Sequence, residues 1–262
     1  MSVKHILITG STDGIGRLAA ANLAREGHHI IVHGRSQQKV DATVAQLKSQ
    51  ATHNNISGVV ADLSDLRAVG AMAEEISANH QLDVLINNAG VYHSNATSTV
   101  TDIRFVVNYL APYLLTQKLI PLLEKSDDAR IINLSSAAQS PVSLQALSGQ
   151  KKLSVQEAYA QSKLALTMWS FALARKYSDM TIIPVNPGSL LNTKMVKEAF
   201  GQHWSSADKG AEILTALATK DIYKTQSGKY YDNDRGAFGP AHADAYDEHK
   251  IDELMLLTED LV

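Results

Sequence analysis

Tyr159 and Lys163 lie one helical turn apart in the run Tyr159-Ala-Gln-Ser-Lys163. On a helix that spacing puts a phenol and an ammonium on the same face. A tyrosine holds its proton to about pH 10, and a fixed positive charge beside it favours the phenolate. A phenol tuned in this way gives and takes protons near neutral pH. Spacing alone does not decide the matter, because Tyr246-Asp-Glu-His-Lys250 repeats it. Two further candidates stand upstream. Ser136, with Ser135, follows an apolar run and can donate to a substrate carbonyl or simply form a turn. Asn108 stands one turn before Pro112. In a helix the proline ring offers no N–H to the Asn108 carbonyl, which either kinks the helix or leaves an acceptor for water or a side chain.

The elements that must position these groups alternate. Apolar, β-branched runs at 5–9, 29–33, 56–61, 83–87, 130–134 and 181–186 read as buried strands, and 228–231 as a short last one. Helical patterns at 17–26, 40–47, 71–76, 100–125, 155–175 and 205–218 separate them. Alternation of this kind predicts an α/β fold: a doubly wound parallel sheet of the Rossmann type with helices on both faces, in one domain over 1–262. The polar stretch 137–156, with Pro141 and Gly149, reads as an irregular excursion over the site.

The first strand runs into Gly10-Ser11-Thr12-Asp13-Gly14-Ile15-Gly16 and then a helix. Glycines there let the backbone turn tightly and approach a pyrophosphate, which the free amides of the helix N-terminus bind. At the exit of the second strand stands Arg35, with Arg17 behind the glycine turn, and no acid before Asp41. An acid at that exit would grip the ribose hydroxyls of NAD(H); an arginine suits the extra phosphate of NADP(H), which is therefore preferred, with NAD(H) as the second option. Asp62 and Leu63 leave the third strand, where the carboxylate can accept from an adenine amino group or cap the next helix. Asn88-Ala89-Gly90 and Pro187-Gly188, with Thr193, fall at the carboxyl ends of the fourth and sixth strands, the edge at which such sheets bind ligands.

Composition narrows the classes. Hydrophobic residues make up 45% and charged residues 19%, enough for a core and too little charge for disorder. A net charge of −3 without a basic run argues against nucleic acid and anionic membranes, and no apolar stretch reaches membrane-spanning length, so no membrane insertion is expected and the expected location is cytoplasmic. There is no cysteine, and the ten histidines show no ligand spacing, so no metal site is expected. The helix at 155–175 is apolar around most of its circumference, which predicts a second subunit against it, in a homodimer or homotetramer.

Thr9 to Gly16, Asn87-Asn88-Ala89-Gly90, Asn108, Ser136, Tyr159 with Lys163, and Pro187-Gly188 together resemble, in kind and order, the short-chain dehydrogenase/reductase family over essentially the whole chain. The resemblance implies an NADP(H)-dependent oxidoreductase moving a hydride between nicotinamide and a small carbonyl or alcohol substrate. Tyr159 would be general acid in reduction and base in oxidation. Lys163 would hold the nicotinamide ribose and lower the phenol's pKa, Ser136 would orient the substrate oxygen, and the Asn108 carbonyl would hold a water linking Lys163 to solvent. Tyr246 and Lys250 fall outside the family order. The stretch between Ser136 and Tyr159 is longer than in compact members and resembles the retinol-dehydrogenase-like subgroup; the turn from Gly188 to Thr193 is one residue longer. These segments, 137–156 and 192–204, would wall the pocket. The competing reading is a dinucleotide-binding redox sensor without turnover, for which a complete set of Asn108, Ser136, Tyr159 and Lys163 would be superfluous.

Overall fold

The computed structural model describes residues 2–51, 53–93, 100–201 and 204–262, the side chains of 198–200 excepted; positions 202 and 203 of the expected pocket wall lie outside them. The amino-terminal part alternates as the sequence requires: β1 (His5–Ile8), α1 (Gly14–Arg25), β2 (His29–Gly34), α2 (Gln37–Gln50), β3 (Ile56–Val60), α3 (Leu66–Asn79) and β4 (Val84–Asn87). A short α4 (Ile103–Phe105) continues through a π-helical turn, Val106–Leu110, into α5 (Ala111–Leu123). Then come β5 (Arg130–Leu134), α6 (Leu144–Leu147), α7 (Val155–Lys176) and β6 (Thr181–Asn186). The chain closes with α8 (Lys194–Phe200), α9 (Ala207–Thr219), β7 (Tyr231–Asp232), β8 (Ala237–Phe238) and α10 (Glu248–Leu261).

The strands form one sheet in the order β3-β2-β1-β4-β5-β6-β7-β8, parallel throughout except for β8, which runs antiparallel to β7. The order reverses between β1 and β4, and a crevice forms at such a switch point beyond the carboxyl ends of the strands. Side chains alternate along each strand and build a core on each face. Ile6, Ile8, Val32, Ile86, Ile132 and Ile183 meet α1 and α9 through Ala19, Leu23, Leu214 and Leu217. Leu7, Ile31, Leu85, Ile131 and Ile182 meet α3, α5 and α7 through Met72, Ile76, Leu119 and Trp169.

The apolar circumference of α7 is covered within the chain. The sheet packs on one side, α4 and the π-helical turn on another, and α10 with the 3-10 turn Ala243–Tyr246 on a third. Thr258 of α10 is fully buried and hydrogen-bonds to the equally buried Tyr109 hydroxyl at 2.6 Å. The observation that suggested a second subunit is thus satisfied by the protein's own carboxyl-terminal helix, and among the described residues no helix is long and apolar enough to cross a membrane.

Candidate active site

The glycine loop is built by interlocking backbone and side-chain bonds. Gly10 and Gly14 have φ of 64° and 55°, the left-handed region in which a side chain is strained. Gly16 has no room for a Cβ, which would strike Asn88 Nδ2 and lie 2.7 Å from the Gly10 carbonyl oxygen. Asn88 Nδ2 donates to the Thr9 and Gly10 carbonyls at 2.8 and 3.1 Å, and Thr9 Oγ1 accepts from the Asn88 and Ala89 amides at 3.0 Å each. From β2, His33 Nδ1 accepts from the Gly10 amide at 2.9 Å. Its Nε2 then carries the proton and donates to the Ala61 carbonyl at 3.1 Å. Burial lowers the His33 pKa to about 4, which keeps the ring neutral.

This loop opens onto the N-terminus of α1, a twelve-residue helix whose cap, Asp13, accepts from the Gly14 amide at 2.7 Å. Bare glycine backbone and first-turn amides suit the diphosphate of a dinucleotide. Thr12, Gly14 and Ile15 are half-buried around it, whereas Ser11 turns inward, fully buried, with its hydroxyl accepting from the His33 amide. A Cβ on Gly34 would come 2.6 Å from Thr12 Cγ2, so the exit of β2 packs directly on the loop. Arg35, next along, is exposed, as is Arg17. Asp62 is exposed at the exit of β3 and accepts from the Ser64 amide and hydroxyl at 2.9 and 2.8 Å; the cap of α3 is Asp65 instead. Leu63 is buried in the core.

A second group gathers where β4 and β5 end against α7. The helix begins at a capping box in which Ser154 and Glu157 satisfy each other's amides. Before Pro112 the preceding helix widens to a π turn over Val106–Leu110, where the ring cannot supply the Asn108 carbonyl with a donor. The Asn108 side chain is fixed on both sides. Its Oδ1 accepts from the Val91 amide at 2.7 Å, and its Nδ2 donates to the Val91 carbonyl and to Ser162 Oγ at 3.0 Å each. Gly90 lies against both functional side chains, for a Cβ there would be 3.3 Å from Asn108 Oδ1 and 3.5 Å from Lys163 Nζ.

Lys163 is buried, with Nζ donating to the Leu134 carbonyl at 2.6 Å, and burial lowers its pKa to about 8. Tyr159 is half-buried, its ring 5.7 Å from that Nζ and 5.0 Å from the ring of Tyr92. Burial raises the phenol's pKa, and the neighbouring Ser136 side chain opposes the rise. The sequence leads one to expect a lowered phenol pKa; in the fold burial pushes it the other way, and the Lys163 ammonium donates to a strand carbonyl. Of the two serines after β5 only Ser136 meets Tyr159; Ser135 is buried, donating to the Lys163 carbonyl at 3.1 Å.

Ser136, Tyr159, Lys163, Asn108 and Gly90 thus come together at the carboxyl edge of the sheet. The turn after β6 leans toward the glycine loop: a Cβ on Gly14 would come 3.8 Å from Thr193 Cγ2. Pro187 and Gly188 stand at the base of that turn, held by Asn233 Nδ2 on the Pro187 carbonyl at 2.8 Å. Within that turn Leu190 takes a left-handed φ of 47°. The repeat at Tyr246 and Lys250 does not converge. The Tyr246 hydroxyl accepts from the Ala241 amide, and Lys250 pairs with Asp244 at 2.8 Å. Sequence reasoning missed Tyr92, which faces the phenol, and Tyr230, whose hydroxyl donates to the Ser136 carbonyl at 2.9 Å. Neither sits in a spacing that signals it.

Residues 4–204 match the family model described as short chain dehydrogenase. Human retinol dehydrogenase 13 is 30% identical over 251 residues, covering 87% of this chain and 76% of its own. Oxidoreductase YvrD of Bacillus subtilis is 32% identical over 227 residues, covering 84% and 80%. Among solved structures, a protein of Escherichia coli CFT073 crystallised with NADPH superposes with a TM-score of 0.74 at 27% identity, over 88% of this chain and 96% of that one. One from Mycobacterium paratuberculosis reaches 0.79 at 26% identity over 98% and 92%.

Proposed function

Because the chain belongs to the short-chain dehydrogenase family, and is thereby an alcohol or carbonyl oxidoreductase that uses a nicotinamide dinucleotide, we propose that Tyr159 is its general acid and base and that NADP(H) is its preferred cofactor. The nicotinamide supplies the hydride chemistry when bound. The remaining work falls to the protein's own side chains. Ser136 orients the substrate oxygen toward the Tyr159 hydroxyl, which protonates it during reduction of a carbonyl and removes the proton during oxidation of an alcohol. Lys163 supplies positive charge beneath the phenol, and Asn108 ties the backbone after Gly90 to α7 so that these groups keep their spacing.

The observation that carries the reading is the meeting of Ser136 with Tyr159 above a buried Lys163, next to a glycine loop in which Gly16 has no room for a Cβ. The test is oxidation of NADPH against a panel of ketones, aldehydes and quinones, with Tyr159→Phe beside the wild type. An accepted substrate should lose at least about a hundredfold in kcat with the phenylalanine variant. Equal turnover would remove the phenol from the mechanism. For the cofactor, Arg35→Ala should weaken NADP(H) about tenfold or more while leaving NAD(H) nearly unchanged. Equal losses would overturn the preference. The retinol dehydrogenases among the relatives make primary allylic alcohols and their aldehydes the first substrates to include.

A further inference from the structure

Tyr230 lies beyond the 4–204 segment matched by the family model, yet it touches the proposed site. It is 4% exposed and sits immediately before β7, whose pairing of Tyr231 with Val185 of β6 fixes its direction. Its hydroxyl donates to the carbonyl oxygen of Ser136 at 2.9 Å. The same oxygen accepts from Gln139 Nε2 at 2.9 Å, and Gln139 Oε1 in turn accepts from the His242 amide at 3.2 Å. Ser136 has left the β5 ladder, so these two donors hold its peptide group in place of strand pairing. Burial raises the Tyr230 pKa far above the ordinary tyrosine value, and the phenol remains a proton-bearing donor at every working pH.

We propose that Tyr230 is a positioning residue for Ser136: by gripping the serine's carbonyl from the carboxyl-terminal segment, it fixes the turn that keeps the serine hydroxyl against Tyr159. Tyr230 does not touch substrate in this assignment and acts only through Ser136, so the inference rests on the serine's role proposed above. It makes the stretch after residue 204 part of the working enzyme and not merely a cover.

The experiment is a double-mutant cycle of Tyr230→Phe and Ser136→Ala, read by kcat, by cofactor Kd from NADPH fluorescence, and by thermal midpoint. Tyr230→Phe keeps the ring in the core and removes one hydrogen bond. It should lower kcat about tenfold with cofactor Kd and thermal midpoint nearly unchanged. In the Ser136→Ala background the same change should have no further effect on kcat. Wild-type kcat in Tyr230→Phe, with Ser136→Ala strongly impaired, overturns the role of Tyr230 and leaves the serine in place. An equal loss in both backgrounds also overturns it, since the phenol would then act elsewhere. Full activity in Ser136→Ala removes the serine's own role, a separate result.

Discussion

The ammonium of Lys163 is bonded to the Leu134 carbonyl at 2.6 Å and stands 5.7 Å from the centre of the Tyr159 ring. One residue of β5 therefore competes with the phenol for the charge expected to tune it. Burial raises the pKa of the phenol and lowers that of the lysine to about 8.

Holding that lysine costs stability. Its folded pKa lies below the unfolded value, so folding is penalised while the group is charged in both states, and the penalty lifts as pH rises from about 8 toward 10.5. Lys163→Met should therefore abolish activity yet raise the thermal midpoint at pH 7, by a gain of at most about 3 kcal/mol that fades by pH 11. Scanning calorimetry at the two pH values reads this directly, and a lower midpoint at pH 7 would contradict it.

Acid acts through the histidines. His33 is held neutral with a pKa of about 4, and His28, His29 and His80 are also lowered, each chiefly by burial. The unfolded chain takes up protons first as pH falls below about 6.5, so stability declines from there toward pH 4. His33 alone should account for about 2 kcal/mol between pH 7 and pH 5. Urea midpoints at those two values test this; a loss unaltered in His33→Asn would assign it to other groups.

Asn88 fastens the glycine loop to β4 through the Thr9 and Gly10 carbonyls. Asn88→Ala removes both bonds and should cost about 1–3 kcal/mol of stability, with cofactor Kd rising about tenfold or more. Fluorescence titration with NADPH provides the second number. Unchanged affinity in a destabilised variant would separate the loop's packing from its binding role.

Thr258→Val is nearly isosteric and leaves the fully buried Tyr109 hydroxyl without its partner. Stability should fall by about 1–3 kcal/mol while kcat holds, since neither residue reaches the site. Chemical denaturation and steady-state kinetics on the same preparation distinguish this from an effect on catalysis.

The sequence was most legible where one residue type has one use. Arg130–Leu134 and Thr181–Asn186 form strands over the residues expected, because buried parallel strands are runs of β-branched side chains. Gly10, Gly14 and Gly16 likewise announce a tight loop, the first two by left-handed backbone and the third by want of room for a Cβ. The carboxyl-terminal part was far less legible. Tyr231–Asp232 and Ala237–Phe238 are too short to carry a period, which shifted the last strand from the expected 228–231 and hid β8. In α10 only Ile251, Leu254 and Thr258 are buried among many charges, so its docking against Tyr109 has no signal in residue order. Contacts such as Tyr230 with Ser136 depend on how distant segments are brought together, which local patterns do not encode.

The two borders of the sheet bear on the protein's behaviour in concentrated solution. The last strand of an open sheet exposes a row of unpaired amides and carbonyls, a template onto which another molecule could add. Here that border is two residues long. The opposite border, β3, runs only from Ile56 to Val60 and carries the polar Ser57 and the glycine Gly58 at its middle. The β8 margin is thereby too short to seed intermolecular β-growth, and the glycine at the centre of β3 weakens that margin as a template.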